Sequence, residues 1–234
     1  MLTGPQFLPT RLEKIRARVA QTALAAGRQG TEIVLIAVSK GQPLERLAEA
    51  RRCGLSDFGE NYLQEALAKM DAMQDPGVTW HFIGRLQSNK TRSVAERFDW
   101  VHTVDELKIA QRLAAQRPSS APPLNVCLQV RLAEEVSKGG VLPADLPALA
   151  QAVHALPRLR LRGLMCLPPP SPDPAIQRGY FAELRTLHDR ISGSGIPLGA
   201  LSMGMSEDFE SAIWEGATHI RVGTALFGSR GPRS

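Results

Sequence analysis

The feature that most constrains the fold of this chain is a regular alternation between short apolar segments and amphipathic, helix-like segments. Apolar runs of about four to eight residues between turn signals are typical of strands buried on both faces, as in a parallel sheet. A helix is expected at 12–26, and further helices follow between the strands. We place eight strands at residues 33–38, 55–58, 78–83, 100–104, 124–132, 161–167, 198–203 and 219–222.

Eight strands alternating with helices in 234 residues predict an α/β fold, the (β/α)8 or TIM barrel. We expect one domain over residues 1–234, with an extra N-terminal helix and a flexible tail at 229–234. Asp105 is expected to cap the helix after the fourth strand. An open doubly wound sheet is the alternative, but the sequence lacks its glycine-rich dinucleotide-binding turn.

Composition excludes several classes of protein. The apolar runs are far shorter than the roughly 18 residues of a membrane span. The cysteines Cys53, Cys127 and Cys166 are far apart and odd in number, so we interpret them as reduced core residues of a cytoplasmic protein, without a disulfide or metal site. The net charge of +5 is spread along the chain with few aromatic residues, which argues against specific nucleic-acid binding and suits a small anion such as phosphate.

Lys40 stands at the end of the apolar run 33–38, where the first strand meets the turn signals Gly41 and Pro43. Lysine is almost never fully buried without a partner. Two interpretations follow: a lysine that forms a Schiff base with a carbonyl compound, or a lysine that simply reaches solvent at a strand end. The stretch alone favours the second.

The barrel prediction brings further polar side chains to the mouth that contains Lys40, because catalytic residues of such barrels lie at the C-terminal ends of the strands. Phosphate is often bound there by the loops after strands seven and eight. The segments 203–206 and 221–225 supply glycine, hydroxyl groups and helix-opening amides, although Gly-Thr is equally a helix cap. The residues expected at this mouth are Ser39, Lys40, Glu60, Asn61, Arg85, Gln87, Thr103, Arg131, Ser206 and Arg221 to Thr224.

A lysine across the mouth from a phosphate site suggests a phosphorylated aldehyde, such as pyridoxal phosphate (PLP) or the substrate of a Schiff-base aldolase. Only a neutral amine attacks a carbonyl, so the usual lysine pKa of about 10.4 has to fall, which partial burial near Arg221 can achieve. The nucleophile elbow of hydrolases and the His-Glu-x-x-His zinc motif are absent from the sequence. We interpret His81 and His102 as strand residues whose hydrogen bonds are satisfied locally.

Several segments between about residue 33 and residue 228 together match a known family. They are Ala37-Val-Ser-Lys40, Phe58-Gly-Glu-Asn-Tyr-Leu-Gln-Glu65, Trp80-His-Phe-Ile-Gly84, Leu86-Gln-Ser-Asn-Lys90, Trp100-Val-His-Thr103, Gly163-Leu-Met165, Leu201-Ser-Met-Gly-Met-Ser-Glu-Asp208 and Arg221-Val-Gly-Thr-Ala-Leu-Phe-Gly228. Through these segments the sequence resembles the pyridoxal phosphate homeostasis proteins, the YggS/PROSC family. The departures from the family pattern, Gly41, Arg85, Arg131 and Gly139-Gly140, affect loops.

This resemblance implies a barrel similar to the N-terminal domain of alanine racemase, with PLP held on Lys40 as an internal aldimine. It also implies that Ser206, Gly223 and Thr224 hold the phosphate, that Arg221 faces the pyridine nitrogen, and that Asn61 lies beside the cofactor.

The function that the resemblance implies is PLP homeostasis: a monomer that binds PLP and delivers it to PLP-dependent apo-enzymes, with no catalytic residues of its own. A PLP-dependent racemase is the alternative, and a Schiff-base aldolase a weaker one. A racemase needs a base on each face of the ring, and we expect no second domain to supply one. The phenols of this chain, Tyr62 and Tyr180, are not expected at a strand mouth.

Overall fold

The computed structural model describes residues 7–133 and 139–228. Within them, eight parallel strands form a closed barrel in which each strand pairs with its neighbours in sequence and the last pairs with the first. The predicted barrel is therefore confirmed. The strands are β1 (Val34–Val38), β2 (Asp57–Glu60), β3 (Thr79–Phe82), β4 (Trp100–Val104), β5 (Leu124–Val130), β6 (Leu159–Cys166), β7 (Ala200–Ser202) and β8 (His219–Val222).

Helices on the outside of the barrel follow the predicted alternation, with ends that differ from the predicted ones by a few residues. Short 3-10 turns at Gly30–Glu32 and Ser88–Lys90 precede β1 and α4. The helices are α1 (Phe7–Ala25), α2 (Leu44–Arg52), α3 (Leu63–Met73), α4 (Thr91–Arg97), α5 (Leu107–Gln116), α6 (Leu146–His154), α7 (Pro174–Gly193), α8 (Phe209–Trp214) and α9 (Thr224–Phe227).

The extra N-terminal helix, α1, is present and packs on the outside of the barrel against α8 and α9. Its buried side chains recur at the spacing of one helical face, which explains why this segment is a helix and how it is held. Arg18 adds an ion pair to Glu210 of α8 at 2.7 Å. The buried residues of this face are Leu8, Leu12, Ile15, Val19 and Ala23.

The turn after β4 differs in one detail from the sequence-based prediction. Asp105 does not cap α5: the N-cap position is Glu106, and no side chain caps it. The Asp105 carboxylate instead accepts a hydrogen bond from the Gly140 amide at 3.1 Å, and so connects the end of β4 to the loop after β5. The expected tail, 229–234, lies outside the described residues.

None of the helices in the two described ranges combines the length and hydropathy that a bilayer crossing requires.

Aromatic and histidine rings fill one part of the barrel interior. The ring centroids of His81 and Trp100 lie 5.7 Å apart, and those of Trp100 and His219 lie 5.0 Å apart. His102 completes the group, with its ring centroid 5.2 Å from that of His81. Burial, followed by the charge of nearby His81, lowers the pKa of His219 to about 4. The barrel therefore buries His219 as a neutral imidazole at pH 7.

We predict that the stability of the barrel falls between pH 7 and pH 5. An unfolded histidine has a pKa of about 6.5, whereas folded His219 has a pKa of about 4, so the unfolded state binds the extra proton in this interval. His219 contributes about 2 kcal/mol to this fall in the free energy of unfolding. His219→Gln should reduce the pH dependence of the urea-unfolding free energy by that amount.

The matched control is His154→Gln, because His154 is exposed at the end of α6. An identical pH dependence in wild type and His219→Gln would contradict the assignment.

Candidate functional site

A cavity of about 470 Å³ opens at the C-terminal ends of the strands. Lys40 enters it from the turn after β1, and Asn61 from the turn after β2. The other polar side chains come from the end of β8 and from the loops after β7 and β8. All six residues singled out from the sequence line this one cavity: Lys40, Asn61, Ser206, Arg221, Gly223 and Thr224.

The closure of the barrel brings the first and last parts of this site together. In the pairing of β1 with β8, Ala37 lies opposite Val222. Lys40 follows three residues after Ala37, and Gly223 and Thr224 follow directly after Val222. Residues that are far apart in sequence therefore become neighbours across a single strand pair.

The loops after β7 and β8 support each other at the wall of the cavity. Ser206 Oγ accepts a hydrogen bond from the Ala225 amide at 3.3 Å, within the first turn of α9. The Gly204 carbonyl accepts from the Arg221 amide at 2.9 Å. Gly204 has a φ of +91°, and a Cβ there would lie 2.6 Å from Ala212 Cβ, so this close approach requires glycine. The result is a concave surface of hydroxyls and helix-opening amides, of the kind that binds phosphate groups.

Arg221 forms the buried back of the cavity, with 4% of its surface exposed. Its Nη1 donates to Ser202 Oγ at 2.7 Å, and its Nη2 donates to the Cys166 carbonyl at 2.9 Å. Burial lowers the pKa of the guanidinium from its usual value, although an arginine in a protein stays protonated. The site thus carries a positive charge held by neutral acceptors.

Lys69 is the centre of a buried ion network beside the Lys40 turn. This α3 side chain is almost fully buried, and its Nζ donates to Glu60 Oε1 at 2.6 Å, to Glu65 Oε1 at 2.5 Å and to the Ser39 carbonyl at 2.6 Å. Ser39 Oγ also donates to Glu60, at 2.6 Å. Burial raises the pKa of Glu60, and the charge of Lys69 opposes that rise.

The same network reaches the other side of Lys40. The Gly41 amide donates to Glu65 Oε1 at 2.5 Å. The two residues that flank Lys40 in sequence, Ser39 and Gly41, are therefore both held by carboxylates that Lys69 neutralises. This arrangement fixes the backbone from which Lys40 extends, and only the folded structure shows it.

Asn61 supplies an unsatisfied group to the cavity. Its Oδ1 is shielded from water and, among the described residues, makes no hydrogen bond. A buried acceptor without a partner costs free energy, so a donor on a bound ligand would stabilise it. The cavity therefore offers a hydrogen-bond acceptor to a hydroxyl or similar donor on a bound ligand.

Several residues expected at the mouth do not line the cavity. Arg85 and Gln87 are exposed, and Thr103 donates to the Gly84 carbonyl at 2.6 Å. Arg131 borders a separate, much smaller cavity. Tyr62 follows β2 at the C-terminal mouth, contrary to expectation, but it is half exposed and outside the cavity lining.

The cavity also includes residues that sequence reasoning missed. Gln177 of α7 lines it and is held by Ser171 and Ser211, through hydrogen bonds of 2.7 Å and 2.6 Å. Asp208 lines it and accepts from the Met205 amide. No pattern in the sequence singles these residues out. Within the described ranges, no group of three potential ligands could hold a metal ion.

Residues 10–231 match the family described as alanine racemase, N-terminal domain. The pyridoxal phosphate homeostasis protein of Pseudomonas aeruginosa is 56% identical to the chain over 219 residues, which is 94% of each protein. The pyridoxal phosphate homeostasis protein of Escherichia coli is 48% identical over 229 residues, which span 94% of this chain and 95% of the relative. An alanine racemase structure from Corynebacterium glutamicum shares the fold, with a TM-score of 0.66 at 15% identity, over 61% of its length.

The solved structures of PipY from Synechococcus elongatus match with a TM-score of 0.85 at 39% identity, over 94% of this chain and 100% of PipY. One of them contains PLP and another does not. Fold and site together define a single-domain barrel with a lysine-containing pocket at its C-terminal mouth. The chain belongs to the pyridoxal phosphate homeostasis protein family.

We predict that Lys69→Met destabilises the protein by roughly 3 to 5 kcal/mol, because it leaves Glu60 and Glu65 facing each other without a cation. Urea unfolding measures the change. Lys108→Met, on the exposed face of α5, is the matched control and should change stability by less than about 0.5 kcal/mol. An equal, small effect of both substitutions would show that the network does not stabilise the turn.

Proposed function

We propose that this protein binds PLP through a covalent imine with Lys40 and acts in intracellular PLP homeostasis and delivery. The observation that carries the proposal is one cavity that combines Lys40 with the phosphate-type surface of Ser206, Gly223 and Thr224. The names of the relatives and the PLP-containing structure of PipY support it.

Several residues of the cavity suit particular groups of PLP. Ser206, Gly223 and Thr224 would hold the phosphate. Arg221, two of whose N–H groups donate to Ser202 and Cys166, would donate another to the pyridine nitrogen. Asn61 would accept a hydrogen bond through its unsatisfied Oδ1.

The bond between an amine and an aldehyde forms reversibly, which is the chemical property that a carrier needs. The neutral Lys40 amine attacks the aldehyde carbon, and water leaves as the imine forms. Addition of water reverses the step and restores the amine and the free aldehyde. PLP can therefore be held against side reactions and still be released to an apo-enzyme.

The site favours binding without catalytic turnover. PLP supplies an electron sink for carbanions when its ring nitrogen is protonated. The permanent charge of Arg221 at that nitrogen opposes protonation and weakens the sink. Among the described residues of the cavity lining, none is a tyrosine, histidine or cysteine that could move a proton on the face of the ring opposite Lys40.

We further propose that the protein works as a monomer in the cytoplasm, without binding nucleic acid. Cys53, Cys127 and Cys166 are free thiols, as expected in a reducing compartment. Burial raises the pKa of both Cys127 and Cys166 to about 12, so these two thiols are unreactive core groups.

We predict that PLP gives the purified protein a visible imine absorption band and that Lys40→Ala abolishes it, because Lys40 is the one lysine among the described residues that line the cavity. Spectroscopic titration with PLP measures the effect. Lys108→Ala, an exposed control, should keep the band. A colourless wild type, or a band unchanged in Lys40→Ala, would contradict the proposal.

A second prediction tests the absence of turnover. PLP-loaded protein incubated with L-alanine should form no D-alanine above the rate of free PLP, because the charge of Arg221 weakens the electron sink that racemisation requires. Chiral chromatography measures the product, and Lys40→Ala is the background sample. Rapid D-alanine formation by the wild type alone would establish the racemase alternative instead.

A further inference from the structure

A continuous series of hydrogen-bonded side chains runs from the cavity through the barrel interior to the N-terminal end of β2. We call Arg221, Ser202, His102, His81 and Asp57 the polar chain. The contacts are Arg221 Nη1 to Ser202 Oγ (2.7 Å), Ser202 Oγ to His102 Nδ1 (2.8 Å), His102 Nε2 to His81 Nδ1 (2.9 Å) and His81 Nε2 to Asp57 Oδ1 (3.0 Å).

The donors and acceptors of the polar chain are ordered in one direction. Arginine can only donate, so Ser202 Oγ accepts from Arg221, and its own hydrogen is then available for a hydrogen bond to His102 Nδ1. Neutral His102 then carries its proton on Nε2 and donates to His81 Nδ1. His81 in turn carries its proton on Nε2 and donates to the Asp57 carboxylate.

The reverse direction is unfavourable. If Ser202 accepted from both Arg221 and His102, a neutral His81 would turn a lone pair towards the Asp57 carboxylate. For His81 to donate to Asp57 as well, its ring would have to carry a second proton beside the buried rings of His102 and His219. His102 does not take up an extra proton itself, because burial, and then the charges of His81, His219 and Arg221, hold its pKa well below its usual value. Burial favours the neutral form of Asp57, but hydrogen bonds from His81 and Ser56 outweigh it and lower the pKa of this carboxyl.

The polar chain does not conduct protons to the cavity. A relay needs a group at its end that can take up and release a proton, and a guanidinium stays protonated. The polar chain acts on geometry instead. Because the Ser202 hydroxyl donates its hydrogen to His102, one of its lone pairs stays directed at Arg221. Because one guanidinium nitrogen is fixed in this way and another by the Cys166 carbonyl, the remaining N–H groups of Arg221 have a set orientation.

We propose that His102 is a positioning residue that acts through Ser202 to orient Arg221 as a hydrogen-bond donor, and so makes the cavity selective for a ligand with an unprotonated ring nitrogen. This inference rests on the proposed function, since PLP is the ligand whose pyridine nitrogen Arg221 would meet. It adds a determinant of specificity that lies outside the cavity lining.

The test compares the affinity of the protein for PLP with its affinity for 1-deaza-PLP, in which the ring nitrogen is replaced by C–H. Both compounds have the aldehyde and the phosphate, so a general loss of stability or of the Lys40 reaction weakens both alike. A hydrogen bond from a charged donor predicts that wild type prefers PLP by at least about tenfold. His102→Phe should lower this preference about tenfold.

Three variants separate positioning from packing. His102→Gln keeps an acceptor for Ser202 and a donor for His81 in one amide, so it should retain most of the preference. His219→Phe changes a buried histidine in contact with the same rings but outside the polar chain, so it should leave the preference unchanged. Ser202→Ala is a smaller change than His102→Phe, and it should lower the preference as well because it removes the acceptor for Arg221.

A spectroscopic readout accompanies the affinities. The ¹⁵N chemical shift of ring-labelled PLP should report an unprotonated nitrogen in wild type at neutral pH and move towards the protonated value in Ser202→Ala. An unchanged preference and shift in Ser202→Ala, or an equal loss in His219→Phe, overturns the inference. If the wild-type protein binds PLP and 1-deaza-PLP equally well, the inference about His102 is overturned while the proposed function stands. If it binds neither compound, the proposed function is overturned as well.

Discussion

The pairing of β8 with β1 is the constraint on which the site depends. It closes the sheet, with Val34 opposite His219 and Ala37 opposite Val222. Without this pairing, Lys40 and the loop that begins at Gly223 would be separated by most of the chain. Because the strands of the barrel are parallel, closure also places the C-terminal ends of all the strands at the same mouth. The helix α1 strengthens the closure from outside by packing on α8 and α9.

Two buried polar systems lie around the cavity, and they differ in kind. The network of Lys69 with Glu60 and Glu65 is ionic and holds the backbone on each side of Lys40. The polar chain from Arg221 to Asp57 is charged only at its ends and holds a guanidinium from behind. Both lie in a low-dielectric interior, where an unpaired member costs much more free energy than it would at the surface. The barrel thus provides a rigid support for a lysine and an arginine that face the same cavity.

Much of this could be predicted from the sequence, for identifiable reasons. Strand and helix alternation is a local property, and the position of Lys40 after an apolar run follows directly from it. The partners of Lys69 could not be predicted in the same way, because Ser39 is 30 residues away and is met only after folding. His102 and Ser202 are 100 residues apart, so no local pattern connects them. His81 and His102 were expected to be satisfied locally, and the structure shows instead that their partners come from other strands.

The attachment of PLP to Lys40 is the central claim, and reduction followed by peptide mapping tests it most directly. Borohydride converts an imine to a stable secondary amine, so the PLP-loaded protein keeps its label through proteolysis. Mass spectrometry should find one phosphopyridoxyl group, on the peptide that contains Lys40. A label on Lys69, a label spread over exposed lysines such as Lys108, or no label at all would contradict the account.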